Sequence, residues 1–168
     1  DIKGSLDDIH INATASADGV NLGSISLIGP LLSPKVQIAA NKVQLTDLLS
    51  LNIQLPTKIE LIDGRLDYSI SGQLADLNNI DKSPFSVSVA LTSVSGEVDG
   101  IWLQELNWQQ NFTLLAGKIT TLPNATENIT VALIEISPPI SKLSVNTHWT
   151  FNKSFKLSAT QLKADVLG

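Results

Sequence analysis

Cysteine is absent from this 168-residue sequence. Its absence removes a disulfide framework, a thiol nucleophile and a thiolate metal site together. Charge is scarce: Asp, Glu, Lys and Arg make up 16% of the chain, against about a quarter in an ordinary globular protein. The net charge is −5. That leaves no basic surface to neutralise phosphates, so nucleic acid is excluded as a partner, as is charge-driven attachment to anionic lipid head groups. Aromatic residues reach only 5%. No apolar run of about 18 residues occurs, so no segment reads as a membrane-spanning helix. The longest apolar cluster, residues 27–32, is broken by Gly29-Pro30. The chain opens on Asp1 and stops at Gly168 in mid-pattern. The expectation is one β-rich domain over residues 1–168, cut from a longer protein, with any leader or anchor outside it.

What the sequence does have is alternation, with Ser, Thr, Asn and Gln supplying the polar positions. In FSVSVALTSVSGEVDGIW, residues 85–102, Phe85, Val87, Val89 and Leu91 share one parity, and Ser86, Ser88, Ala90 and Thr92 the other. Side chains alternate faces along a strand, so this is a strand with one apolar and one small-polar face. The parity flips at Thr92-Ser93, and Val94, Gly96, Val98, Gly100 and Trp102 carry the repeat on. A one-residue shift without a loop implies a bulge or bend.

Most of the chain repeats this pattern. Ile9, Ile11, Ala13 and Ala15 alternate with Asp8, His10, Asn12 and Thr14 up to a turn at Asp18-Gly19. The next alternating set slips near Gly23, and that of Val36, Ile38 and Ala40 slips at Asn41-Lys42. Leu66, Tyr68, Ile70 and Gly72 share a parity after a break at Asp63-Gly64. Ile134 and Ile136 oppose the parity of Ile129, Val131 and Leu133, which predicts a strand buried on both faces. Residues 46–51 predict one or two helical turns, with Thr46 as the cap and Asp47 at the positive end. The fold class expected is all-β: roughly ten to twelve strands at regular spacing, in a long, strongly twisted or curved antiparallel sheet, groove-like or sandwich-like.

No chemistry stands out. His10 and His148 lie on or beside polar parities, without metal-ligand spacing, and read as solvent-facing. No Ser occupies a nucleophile elbow. Glu97 and Asp99 share a strand face but do not converge from different elements, as a catalytic dyad requires. Asp76, Asn78, Asn79 and Asp81 lack the Gly and terminal Glu of a calcium loop. Gly117-Lys118 lacks the rest of a phosphate loop. Asn12, Asn111, Asn124, Asn128 and Asn152 stand in N-x-Ser/Thr triplets, as chance allows in so Asn- and Thr-rich a chain. No catalytic residue, metal or cofactor is expected.

The feature left is the aliphatic sheet face. It is either the core of a sandwich or barrel, or the lining of an apolar groove. A groove would hold acyl chains by area alone, at roughly 0.8 kcal/mol per buried CH₂. Its candidate lining is Phe85, Val87, Val89, Leu91 and Val94, with Leu66, Tyr68 and Ile70.

The stretches LTSVSGEVDGIWLQEL, SVNTHWTFNKSFKLSATQLKADVLG and SLDDIHINATASADGVNLGSISLIGP resemble the YdbH-like exported envelope proteins of Gram-negative bacteria, relatives of the AsmA and TamB group. Leu162, Ala164, Leu167 and Gly168 match that group's L-x-A-x-x-L-G-G ending as far as the chain runs. The resemblance implies a segment of a taco-like channel between inner and outer membranes. Phospholipid acyl chains would lie on its inner face, and the longer protein would be anchored in the inner membrane. Neighbouring segments of the same long chain, and an outer-membrane lipoprotein, are the partners it suggests. An older label for such proteins, dicarboxylate transport, finds thin support here, since an anion site wants convergent cations and Arg65 is the only arginine. A structural or adhesive β-module with a closed core is one alternative; a small-anion (dicarboxylate) binding domain, with a basic pocket around Arg65, is the other.

Overall fold

In a computed structural model the described residues are 2–5, 7–51, 59–75, 82–122, 128–152 and 154–167. The loop carrying Asp76, Asn78, Asn79 and Asp81 lies outside them, as does Asn124. The chain runs β1 (Ile2–Ser5), β2 (Asp8–Ala17), β3 (Val20–Gly29), β4 (Lys35–Gln44), α1 (Leu45–Ser50), β5 (Ile59–Gln73), β6 (Phe85–Val98), β7 (Ile101–Leu115), β8 (Lys118–Thr121), β9 (Ile129–Glu135), β10 (Ile140–Asn152) and β11 (Ser154–Val166). The described residues are all-β with one short helix.

The strands form a single 11-stranded sheet, every pair antiparallel, in an order that follows the chain. The exception is β8 and β9, which share one place in the row. Both lie between β7 and β10: β8 pairs residues 112–115 of β7, and β9 pairs residues 102–108. They are two pieces of one interrupted strand. The substantial contacts among the described residues are between ladder neighbours, or between α1 and strands β4 and β5.

Three tight turns carry the meander. Asp18-Gly19, Asp99-Gly100 and Ala116-Gly117 have positive φ at both residues, the backbone that a two-residue hairpin needs to match strand twist. The second corrects the sequence reading. The repeat does not run through Gly100, because Val98 pairs with Ile101 across the turn and Trp102 belongs to β7. The same dipeptide at Asp63-Gly64 makes no turn; it lies inside β5 at a register shift.

Bulges bend the sheet. Register shifts fall between Ala15 and Ser16 opposite β3, between Ala40 and Val43, around Gly64, and between Leu91 and Val94. These are the parity slips at Gly23, Asn41-Lys42, Asp63-Gly64 and Thr92-Ser93. Glycine is required at Gly64, where φ is 141° and a Cβ would meet Val94 Cγ2 at 2.9 Å and Leu45 Cδ1 at 3.0 Å.

Two further expectations are corrected. Helix α1 begins at Leu45, with Gln44 in the cap position and no side-chain cap hydrogen bond. Thr46 is inside the helix and cannot cap it. Strand β9 is not buried on both faces. Val131 is buried, whereas Thr130 and Ala132 are exposed and Ile136 lies beyond the strand, 39% exposed.

Candidate functional site

Directly paired residues in an antiparallel ladder point to the same face, so the register sorts the sheet into transverse rows. One row reads Ala13, Ile25, Ile38, Ile70, Val87 and Phe112. Another reads Val43, Leu66, Leu91, Trp108, Ile129 and Val145. Between them Ala40, Tyr68 and Val89 line up, and Phe85 follows opposite Gly72. The opposite face carries a matching row of Asn12, Ser26, Gln37, Ser71, Ser86 and Thr113. Strand-by-strand alternation thus becomes, over these rows, a sheet with one aliphatic and one polar face.

The aliphatic face is covered only in part. Phe85, Val87, Val89, Leu91, Leu66, Tyr68 and Ile70 are all half-buried. Of the candidate lining residues only Val94 is buried, at 7% exposure. The ladder places these side chains on neighbouring strands β5 and β6. Tyr68 also ties the face together: its hydroxyl donates to the Leu22 carbonyl of β3, reaching past β4.

Beside the Val43–Val145 row runs a seam of bulges. Lys42 in β4, Ser93 in β6, Glu105 in β7 and Lys142 in β10 all have positive φ, between 50° and 57°. A non-glycine residue in this region needs local support. The support comes from the next strand. Lys42 N–H donates to Asp67 Oδ1 (2.6 Å), Ser93 N–H to Asn107 Oδ1 (2.9 Å) and Glu105 N–H to Ser95 Oγ (3.1 Å). At these three bulges a backbone donor is freed, and a short polar side chain takes it.

A polar network interrupts the aliphatic face at the gap between β8 and β9. Gln110, Thr121, Asn128 and Thr147 are buried at 0, 1, 5 and 8% exposure. Asn128 Nδ2 donates to Gln110 Oε1 and to Thr147 Oγ1 (2.9 Å), and its Oδ1 accepts from Thr147 N–H (2.8 Å). Thr121 Oγ1 accepts from Trp149 N–H (2.9 Å) and lies 2.6 Å from His148 Nδ1. These side chains stand in for ladder bonds where the strand is broken. No buried side-chain polar atom among the described residues lacks a partner. The network corrects the reading of His148, which is half-buried and bonded rather than simply solvated. Asn128, noted in the sequence only as part of a chance triplet, is its centre.

Three clefts bounded by described residues follow the seam and touch the adjoining aliphatic row at Val43, Leu91 and Trp108. One, about 480 Å³, opens where β3 and β4 part beyond the Ser24–Ala39 pair; Asn21, Asn41, Lys42 and Asp47 are among its walls. Two of about 280 Å³ adjoin each other at Asn107 and Thr130. Of the candidate lining residues Leu91 alone lines one of these three clefts. An open sheet face is not a pocket, and that is how Phe85, Val87 and Val89 stand.

Among the described residues the charged groups singled out in the sequence stand apart from one another. His10 lies 3.4 Å from Asp8, both side chains exposed. Glu97 opposes Glu60 across the ladder, while Asp99 sits in the hairpin turn. Arg65 is exposed, opposite Gln44 and Thr92. Among the described residues no three His, Cys, Asp or Glu are placed to hold a metal ion, and no helix is long and apolar enough to cross a membrane. Comparison of the chain with protein-family models, with curated proteins and with solved structures found no match.

Proposed function

We propose that this chain is a non-enzymatic segment of a lipid conduit in a bacterial envelope. In this reading it lies in the periplasm, between inner and outer membranes, as one stretch of a longer groove. The aliphatic face is the inner wall of a curved, taco-like trough, and phospholipid acyl chains lie on Phe85, Val87, Val89, Leu91 and Val94 with Leu66, Tyr68 and Ile70. Neighbouring segments of the longer chain, and an outer-membrane lipoprotein, complete the path.

One observation carries the reading: the apolar rows run unbroken across β4, β5 and β6, and although Ala40 and Val43 of β4 are buried, Leu66, Tyr68, Ile70, Val87, Val89 and Leu91 of β5 and β6 are only half-buried. A closed sandwich would press these rows against a second sheet, whereas strands here contact ladder neighbours. Apolar area left open on this scale is where a lipid gains, at about 25 cal/mol per Å² covered. The binding needs no charge, which suits rows built of aliphatic and aromatic side chains. Organic extraction of the purified protein followed by mass spectrometry tests the proposal. Phospholipid in the extract supports it; a lipid-free extract from a segment long enough to close the trough counts against it.

A further inference from the structure

Strands β3 and β4 pair from Ile28–Lys35 to Ser24–Ala39 and then part. Both sides of the parting are built. Gly23 lies so close to β4 that a Cβ there would stand 2.4 Å from the Ala39 carbonyl oxygen and 3.0 Å from Ala40 Cβ. Its N–H donates to Asn21 Oδ1 (2.9 Å) of its own strand. The carbonyl of Leu22, the neighbouring residue, accepts from the Tyr68 hydroxyl. On the other side the bulge at Lys42 turns β4 aside, its N–H held by Asp67 Oδ1 (2.6 Å). The cleft left between the strands, about 480 Å³, is within the size range of small-molecule sites.

Its walls carry polar groups that the fold does not use. Leu74 N–H donates to the Pro34 carbonyl, in register with the β4–β5 ladder. N–H and C=O of alternate residues point to opposite sides of a strand, so Lys35, Gln37, Ala39 and then Asn41 turn theirs towards β3. The β3–β4 ladder ends at Ala39, so the Asn41 backbone faces the cleft with no ladder partner. Around it stand the ammonium of Lys42, the carboxylate of Asp47, the amides of Asn41 and Gln44 and the hydroxyl of Thr14. Among the described residues none of these five side chains makes a hydrogen bond or an ion pair.

We propose that this cleft binds a short peptide with free termini. The peptide's carboxylate faces Lys42 and its ammonium faces Asp47. Its amides meet the Asn41 backbone and the side-chain amides of Asn41 and Gln44. Two features select this ligand. A strand edge without a ladder partner takes an extended chain by main-chain hydrogen bonds. An uncommitted cation and an uncommitted anion on one cleft match a ligand that carries both charges. A simple anion would meet Asp47 as a like charge, and a neutral sugar would use neither charge. The proposal does not rest on the lipid reading.

Nuclear magnetic resonance titration of the 168-residue chain with trialanine, and with its C-amidated and N-acetylated forms, tests it. Saturable shifts of the Asn21, Asn41 and Lys42 backbone amides are the expected result. Each cap removes one terminal charge and weakens binding by about twofold to fivefold, the worth of an exposed ion pair. Lys42→Gln lowers the affinity for trialanine by the same factor and no longer distinguishes it from the amidated form. Asp47→Asn does the same with the acetylated form. Both side chains are exposed, and unchanged amide resonances away from the cleft confirm that each variant folds. No saturable shift, or shifts that fall elsewhere on the sheet, overturns the site. Binding in the cleft that ignores both caps and both variants overturns the assignment of a peptide's termini to Lys42 and Asp47.

Discussion

Replacing Asn128 by Ala removes the centre of the polar network without touching a ladder. The side chain gives up its donation to Gln110 Oε1 and to Thr147 Oγ1, and its acceptance from Thr147 N–H. Gln110 and Thr147 remain buried, so their groups lose a partner that water cannot replace without opening the sheet. Each buried polar group left unsatisfied costs about 1–3 kcal/mol, and two or more are affected. The expected destabilisation is about 3–5 kcal/mol. For a chain of this size that lowers Tm by roughly 8–15 °C. Urea unfolding followed by tryptophan fluorescence reads it, with Trp108 and Trp149 on the strands that flank the gap. Exposed Asn41 is the control, and its replacement by Ala should stay within about 0.5 kcal/mol. A cycle of N128A with Thr147→Val should show coupling above about 0.5 kcal/mol. A loss below about 1 kcal/mol for N128A would refute the view that these side chains replace the missing ladder.

Other outcomes follow from the same geometry. Gly64→Ala forces a Cβ against Val94 and Leu45 at positive φ and should cost at least about 1–3 kcal/mol in chemical denaturation. Tyr68→Phe removes the hydroxyl that reaches Leu22 and should cost about 1 kcal/mol. Thr46→Ala should leave stability within about 0.5 kcal/mol, because α1 draws no cap from that side chain; a loss of about 1 kcal/mol would restore Thr46 as a cap. Val89→Asp should reduce the phospholipid recovered with the protein, whereas Ser88→Asp on the other face should not; equal recovery would separate the aliphatic face from lipid.

Much of the sheet is legible in the sequence because its period is two. A flip of apolar parity is a bulge, and those at Gly23, Lys42, Gly64 and Ser93 show plainly. Glu105 is hidden because Trp102, Leu103, Leu106 and Trp108 put apolar side chains on both parities. The flip from Ile140 to Leu143 at Lys142 is present but sits beside Pro138-Pro139, where it reads as the start of a strand. Asp99-Gly100 was obscured by the parity that runs through it. The polar network left a fainter trace: Gln110 stands on the apolar parity between Trp108 and Phe112, and Thr147 between Val145 and Trp149. A polar residue at an apolar position needs a partner. Its partner, Asn128, is 18 residues away from Gln110, and only the folded register brings them together.

The central claim, that the aliphatic face holds acyl chains, is tested most directly by a photo-reactive residue placed at Val87, Val89 or Leu91, and at Ser86 or Ser88 as controls. After irradiation in bacterial envelopes, mass spectrometry of the protein reads the adducts. Phospholipid adducts at the odd positions and none at Ser86 or Ser88 are the predicted result. No adduct at any position, or equal labelling of both faces, would contradict it.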